Sequence, residues 1–267
     1  MLFFSSLLKT NSTYKPAADS LFAALDLYNI SYKFITNTKD IWLRDFLPVK
    51  TGSGKYISFR YEPSYLRGYE TSRTNYRQDI SFLPDMPEAV YSEINIDGGN
   101  IVFSPSKGKA VISDRVFFEN SHIKKEELVR ELERLLEARV IVIPSLKSDM
   151  TGHADGMVRF TDENTALCNA AEGEHTLEQR IADTLRLHGI TVAEFPYFSS
   201  RGISAEGCYI NYLETEKHIF LPVFGNCKDT EAVDTAQHVF SKTVVPVRAN
   251  DIAKDGGIFN CISWEDM

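Results

Sequence analysis

The sequence predicts an α/β fold of five ββαβ modules, closed into an α/β propeller with pseudo-fivefold symmetry and with both termini in one module. Two observations lead to this prediction. Pairs of short apolar strands recur along the chain, and their second strands begin at residues 55, 109, 165 and 218, at spacings of 54, 56 and 53. The N-terminal strand has no partner strand before it and the C-terminal strand has none after it, so pairing these two completes a fifth module without leaving an open edge.

Four predicted hairpins carry the repeat. In each, a turn rich in Gly, Asn, Asp, Pro or Ser separates two β-rich runs, which is the usual hairpin signal. The first and second strands are predicted at 41–49 and 55–60, 96–104 and 109–113, 152–160 and 165–169, and 206–213 and 218–222, and the terminal strands at 2–6 and 258–264.

A helical pattern and a further short strand follow each hairpin. The clearest helix is predicted over 126–138, where Leu128, Leu132 and Leu135 share one apolar face. The weakest copy is predicted over 85–94, with Pro87 near a helix start. The other helices are predicted at 15–27, 177–188 and 230–240, and the strands that follow the helices at 30–35, 140–144, 190–196 and 244–247.

Composition limits the class of protein. We expect the 267 residues to form one domain, 1–267, and the net charge of −8 argues against nucleic acids and anionic membranes as partners while suiting a small cationic ligand. The first nine residues lack the features of a secretion signal, and no segment has the apolar length of a membrane span. Four cysteines without metal-like spacing (Cys168, Cys208, Cys227 and Cys261) fit reduced thiols, so we expect a cytoplasmic protein.

Four motifs bring catalytic residue types to matching places, near the starts of the predicted first strands. If these strand starts face the propeller axis, one pocket holds a thiol, an imidazole and three carboxylates. Unpaired buried carboxylates are costly, and a bound cation would remove that cost. The motifs are Trp42-Leu43-Arg44-Asp45, Asp97-Gly98-Gly99-Asn100, Gly152-His153-Ala154-Asp155 and Gly256-Gly257-Ile258-Phe259-Asn260-Cys261.

Each motif alone also has an ordinary structural explanation. A glycine pair is usually a tight turn, a lone cysteine a small buried hydrophobe, and Trp42 a core residue. Their recurrence in successive modules favours function. A metal site is the competing use of Cys, His and Asp, but only His153 is a strong nitrogen ligand, so no metal is predicted.

At these motifs the chain resembles the agmatine deiminase and bacterial-type peptidylarginine deiminase family, within the guanidino-group-modifying (pentein) superfamily. The first motif is similar to the family's WxRD, the second to EGG, the third with Arg159-Phe160 to GHxD followed by RF, and the last to GGxxHC. Phe224-Gly225 and Asp229 resemble its FG and D. The resemblance runs over most of the chain and implies a five-module α/β propeller.

The resemblance implies a C–N hydrolase of amidines that needs no cofactor. Cys261 would attack the guanidinium carbon, His153 would act as general acid and then general base, and Asp97 would orient His153 or the substrate. Asp45 and Asp155 would hold the guanidinium by paired charge-assisted hydrogen bonds. Trp42 and Asn260 are further expected substrate-binding residues. The product would be a ureido compound with release of ammonia, and the family setting suggests putrescine biosynthesis and a homodimer.

Two residues depart from the family pattern. Asn260 stands where the family usually has His, and Asp97 is one methylene shorter than the usual Glu. Two other functions stay open at this point, an amidinotransferase and a non-catalytic guanidine-binding propeller, and Cys208 is the alternative nucleophile. The substrate is open as well. A free α-carboxylate would need a cationic clamp, for which Arg67, Arg159 and Arg201 are candidates, whereas agmatine would need none.

Overall fold

The computed structural model describes residues 1–80, 86–145, 149–171, 173, 175–200 and 202–266. Within them lie five three-stranded sheets, which confirms the predicted five modules. By its internal contacts the chain divides into two compact units, residues 1–44 with 194–267, and residues 45–193. That residues 1–267 form one domain stays a prediction.

The described part of the chain forms fifteen strands and eight α-helices. The strands are β1 (Leu2–Ser5), β2 (Tyr32–Ile35), β3 (Val49–Lys50), β4 (Tyr56–Arg60), β5 (Val90–Asn95), β6 (Ile101–Phe103), β7 (Lys109–Ser113), β8 (Arg139–Ile143), β9 (Val158–Phe160), β10 (Thr165–Asn169), β11 (Thr191–Phe195), β12 (Leu213–Glu214), β13 (His218–Val223), β14 (Thr243–Arg248) and β15 (Ser263–Glu265). The helices are α1 (Leu7–Thr10), α2 (Lys15–Leu27), α3 (Leu43–Phe46), α4 (Arg115–Glu119), α5 (Lys125–Leu136), α6 (Leu177–Leu187), α7 (Lys228–Val239) and α8 (Asn250–Ala253). No helix in the described residues is long and apolar enough to cross a membrane.

The first unit pairs the two chain ends in one sheet. β1 is the central strand, antiparallel to β15 and parallel to β2, with Phe3 opposite Trp264. Phe4 and Phe22 pack edge to face beneath this sheet, so aromatic burial holds α2 on it. The second sheet of the unit has the order β12-β13-β14. The prediction that both termini share one module is confirmed.

The second unit holds the sheets β3-β4-β5 and β6-β7-β8. It also holds β9 and β10 of the sheet β11-β10-β9, and the unit ends within β11. α5 buries Leu128, Leu132 and Leu136 in the core between its own sheet and β4. α6 buries Ile181 and Leu185 against β9 and β10. The apolar stripes of the sequence therefore predict these helices and the faces they bury.

The helix predicted at 85–94 is wrong. β5 begins at Val90 and runs parallel to β4, with Val90 opposite Ile57. Val90, Tyr91 and Ile94 are β-branched or aromatic, and pairing with β4 favours the extended form over the helix. The predicted start at Asp85 lies outside the described residues.

The predicted first strands are too long at their N-terminal ends. Each of these strands is only two or three residues long. Short helical turns replace the predicted beginnings of the first three, and other turns replace those before β12 and β15. Glycine, Asn and Asp favour turns over extended chain, and these residue types fill the motifs. The motif residues therefore lie on tight turns before the strands: Asp45 on α3, Gly99 on the 3₁₀ turn Gly98–Asn100, Asp155 on the 3₁₀ turn Ala154–Gly156, and Cys261 in the turn before β15.

Candidate active site

His153 lies between two carboxyl groups in the unit of residues 45–193. Its Nε2 is 2.7 Å from Asp97 Oδ2, and its Nδ1 is 3.5 Å from Asp45 Oδ1. Both ring nitrogens carry protons only in the imidazolium, so this setting favours the charged ring. Burial alone would lower the pKa of His153, but the charge of Asp45 and the hydrogen bond and charge of Asp97 raise it to about 10.

Gly99 has no side chain, which allows Asp45 and His153 to lie against its backbone. Its amide donates a hydrogen bond to Asp45 Oδ1 at 3.2 Å. A Cβ at this position would lie 2.6 Å from Asp45 Oδ1 and 2.8 Å from His153 Nδ1, closer than real Cβ atoms approach, and 3.5 Å from Asp155 Oδ2. Three polar atoms from three predicted site residues therefore converge over one glycine.

The cluster is richer in acidic than in basic groups. Asp45, Asp97 and Asp155 are all less than 9% exposed, and the imidazole of His153 is the cationic side chain among them. Buried carboxylates need compensating charge or hydrogen bonds. A planar cation with several N–H donors would supply both, because it can bond two carboxylates at once. We name Asp45, Asp97, His153 and Asp155 the acid–imidazole cluster.

Asp97 has a partner that the sequence does not point to. Tyr65 donates its hydroxyl proton to Asp97 Oδ2 at 2.8 Å. Tyr65 lies on the 3₁₀ turn Ser64–Leu66, in the long connection between β4 and β5. That connection follows no repeat of the chain, so no spacing or motif marked this tyrosine in advance.

Cys261 lies in a turn of the other unit, on a backbone that a second glycine makes possible. A Cβ at Gly257 would lie 2.5 Å from the Trp42 ring and 3.0 Å from Cys261 Cβ. The Arg44 amide donates to the Cys261 carbonyl at 3.1 Å, which ties the turn to the segment that carries Trp42. We name this turn, residues 256–261 with Trp42 and Asn211, the cysteine turn.

Asn211 is the polar neighbour of the thiol. Cys261 Sγ donates to Asn211 Oδ1 at 3.3 Å, and the Cys261 amide lies 3.4 Å from the same oxygen. The Asn211 carbonyl accepts from the amide of Asn260 at 3.2 Å. A hydrogen bond from the thiol stabilises its neutral form. The amide oxygen of Asn211 is therefore a hydrogen-bond acceptor for the thiol of Cys261.

Asn211 occupies the same position relative to its strand as Cys261 does. It lies two residues before β12, as Cys261 lies two residues before β15. Cys208, which is 53 residues before Cys261, lies five residues before β12 and is not the equivalent position. The predicted first strands began too early. For that reason the 53-residue spacing pointed to Cys208, and not to Asn211, as the position equivalent to Cys261.

The predicted site residues thus form two groups. The acid–imidazole cluster brings together Asp45, Asp97, His153 and Asp155, and the cysteine turn brings together Trp42, Asn260 and Cys261. Trp42 is half-buried, whereas Asn260 and Cys261 are buried. Within the described residues, no group of three or more His, Cys, Asp or Glu side chains has a metal-binding arrangement.

The three candidate arginines for a carboxylate clamp differ in their setting. Arg67 is exposed on the connection between β4 and β5, and Arg159 is half-buried on β9. Arg201 lies outside the described residues.

Comparison with known proteins identifies the family. The model of the Porphyromonas-type peptidyl-arginine deiminase family matches residues 7–266. No curated protein matches the chain significantly.

Solved structures share the fold at low sequence identity. The agmatine deiminase of Enterococcus faecalis superimposes with a TM-score of 0.75 at 15% identity over 94% of this chain and 88% of its own. The C. jejuni agmatine deiminase gives a TM-score of 0.72 at 18% identity over 98% and 92% of the two chains. The DDAH of Pseudomonas aeruginosa gives 0.60 at 14% identity over 98% and 97%. This likeness confirms the predicted fold class, the five-module α/β propeller.

Proposed function

Because the chain belongs to the Porphyromonas-type peptidyl-arginine deiminase family, whose members are amidine hydrolases, we propose that it deiminates a small guanidino compound. The reaction releases ammonia and leaves a ureido product. The observation that carries the proposal is the acid–imidazole cluster: Asp45, Asp155 and His153 converge over Gly99, and the third buried carboxyl group, Asp97, bonds to the same imidazole. Agmatine-like and arginine-like compounds are the proposed substrate class.

Asp45 and Asp155 bind the guanidinium in this proposal. Their oxygens lie 2.6 and 3.5 Å from the position that a Gly99 Cβ would occupy, so the two carboxylates are close enough together to bind one planar cation. Each carboxylate accepts two N–H bonds from the planar cation. The bound cation also offsets the negative charge around His153.

Partial neutralisation of the carboxylates by the bound cation allows His153 to act as a general acid. With the carboxylates uncompensated, the pKa of His153 is raised to about 10, which holds its proton tightly. A guanidinium beside Asp45 and Asp155 screens their charge and lowers this pKa toward neutrality. Proton transfer is most efficient when the pKa of the group lies near the working pH. Substrate binding and acid activation are thereby coupled.

Cys261 supplies the nucleophile. Its thiol first loses its proton to solvent, and the thiolate forms an S–C bond to the guanidinium carbon. The C–N bond then breaks, and His153 gives the leaving nitrogen its proton, so ammonia departs. Water attacks the resulting amidino-thioether with His153 as base, the S–C bond breaks, and the ureido product leaves with the thiolate restored. The substrate cation favours the thiolate over the thiol that Asn211 stabilises.

A substrate panel tests the proposal. Agmatine, arginine and short arginine peptides are incubated with the protein, and both ammonia and ureido product are measured. Equal amounts of the two are expected for at least one compound, and Cys261→Ala should lose this activity while Cys208→Ala keeps it. Mass spectrometry of the wild type during turnover should find the amidino adduct on Cys261.

Three results would contradict the proposal. Transfer of the amidino group to an added amine without ureido product would make the protein an amidinotransferase. Guanidine binding without turnover would make it a binding protein. Activity retained in Cys261→Ala and lost in Cys208→Ala would move the nucleophile to Cys208. A role in putrescine biosynthesis follows only if agmatine is the substrate.

A further inference from the structure

Asp97 Oδ2 receives hydrogen bonds from two directions. The Tyr65 hydroxyl lies 2.8 Å away and His153 Nε2 lies 2.7 Å away. Asp97 is 7% exposed, and within the described residues these are the two hydrogen bonds of its side chain. We propose that Tyr65 is a positioning residue, which orients Asp97 and through it the ring of His153. This inference rests on the function proposed above.

One hydrogen bond would not fix Asp97. The χ2 torsion of aspartate is broad and its two oxygens are equivalent, so a carboxylate that bonds only to a ring nitrogen can pivot about it. A second donor at a different angle removes that freedom. The rings of Tyr65 and His153 are 6.4 Å apart and inclined at 65°, so the two donors belong to side chains that do not stack on each other. Fixing the acceptor also fixes the plane of the imidazole.

The Tyr65 hydroxyl is a permanent donor at physiological pH. Burial first, and then the negative charge of Asp97, raise the pKa of Tyr65 well above its usual range. A phenol that keeps its proton can donate but does not add negative charge to the cluster. It therefore draws some charge from Asp97 Oδ2, so that Asp97 holds the His153 proton less tightly than an unshared carboxylate would.

The turn that carries Tyr65 is anchored. The amide and hydroxyl of Ser64 donate to Glu119 Oε2 and Oε1 at 3.0 and 2.7 Å. Arg115 completes the anchor, with Nε 3.0 Å from Glu119 Oε1 and Nη2 donating to Ser64 Oγ at 2.8 Å. The Glu119 side chain is 9% exposed, so these charge-assisted bonds are shielded from water. By contrast, residues 67–69 are exposed. Tyr65 thus lies on a turn that these bonds hold in place.

Tyr65→Phe tests the inference, because it removes only the hydroxyl. We expect kcat to fall roughly five- to tenfold with little change in KM, since one hydrogen bond to a charged group is lost and substrate contacts are kept. We also expect the pKa of His153 to rise, since Asp97 then gives its full charge to the imidazole. The matched control is Tyr76→Phe, which removes a hydroxyl that donates to the Pro87 carbonyl at 2.6 Å in the same unit. It should leave kcat and the titration of His153 unchanged.

The titration is followed by NMR of the imidazole, with the His153 signals assigned by their loss in His153→Gln. It needs no substrate, so it tests Tyr65 even if the substrate panel shows that the proposed function is wrong. An unchanged His153 titration in Tyr65→Phe would overturn the inference, as would a loss confined to KM, which would make Tyr65 a substrate contact. Glu119→Gln weakens the anchor and should move both readouts the same way by less. If Tyr65→Phe does not fold, Glu119→Gln tests the inference instead: an unchanged His153 titration, or a loss confined to KM, would overturn it.

Discussion

Two glycine pairs, Gly98-Gly99 and Gly256-Gly257, bring backbone against site residues in the same manner, but the groups around them differ in charge. The second glycine of the first pair faces oxygens of Asp45 and Asp155 and a nitrogen of His153. The second glycine of the other pair faces the ring of Trp42 and Cβ of Cys261. The glycine of the acid–imidazole cluster therefore lies against ionisable side chains, whereas the glycine of the cysteine turn lies against an aromatic ring and a side-chain carbon.

Under the proposed function the two regions have separate tasks. Fixed carboxylates prepare the first for a cation and tune its imidazole. The second holds a thiol whose neighbour, Asn211 Oδ1, stabilises the uncharged form.

The largest expected effect is on stability. The pKa of His153 is raised from 6.5 to about 10, so its contribution to the free energy of unfolding is fully present below about pH 6.5 and is lost as the pH rises through 10. We expect the free energy of unfolding to fall over this window by on the order of a few kcal/mol. Urea denaturation at a series of pH values measures it.

His153→Gln should lack this alkaline fall, because glutamine does not titrate. His122→Gln, which removes an exposed histidine, is the control and should keep it. A wild-type stability that stays flat from neutral to alkaline pH would show that the cluster does not hold an imidazolium.

The second effect concerns the glycines. Gly99→Ala places a methyl group 2.6 Å from Asp45 Oδ1 and 2.8 Å from His153 Nδ1, so these groups must move apart. Displacements of about 1 Å can cost about 100-fold in rate. We expect a loss of about that size in kcat/KM on the substrate identified by the panel. Gly257→Ala should give a similar loss by pressing on Trp42 and Cys261.

Gly108→Ala is the matched control. The nearest atoms to its added methyl are side-chain oxygens of Ser106 at 3.2 Å and Glu163 at 3.9 Å, which can shift at little cost. Full activity in Gly99→Ala would show that the polar atoms over this glycine do not act on the substrate. The pH dependence separates the two sites, since only Gly99→Ala should change the pKa of His153.

Sequence reasoning predicted the module count, the pairing of the termini and the positions of α2, α5, α6 and α7, because apolar periodicity over ten or more residues is a strong signal. It misplaced the starts of the first strands, since two- or three-residue strands carry almost no pattern of their own. It therefore assembled Asp45, Asp97, His153 and Asp155 correctly from their motifs but missed Asn211. Tyr65 could not be predicted, because its role depends on a nonlocal contact with Asp97.

The smallest expected effect is on the alkylation rate of Cys261. Asn211→Asp keeps the shape of the side chain but places a carboxylate about 3.3 Å from Cys261 Sγ. A like charge at this distance raises the pKa of the thiol. We expect alkylation of Cys261 by iodoacetamide at neutral pH to slow by roughly tenfold, the effect of about one pKa unit. Peptide mapping follows Cys261 and uses the exposed Cys227 in the same molecule as the internal control. Alkylation at the wild-type rate would mean that Asn211 does not set the protonation state of the thiol.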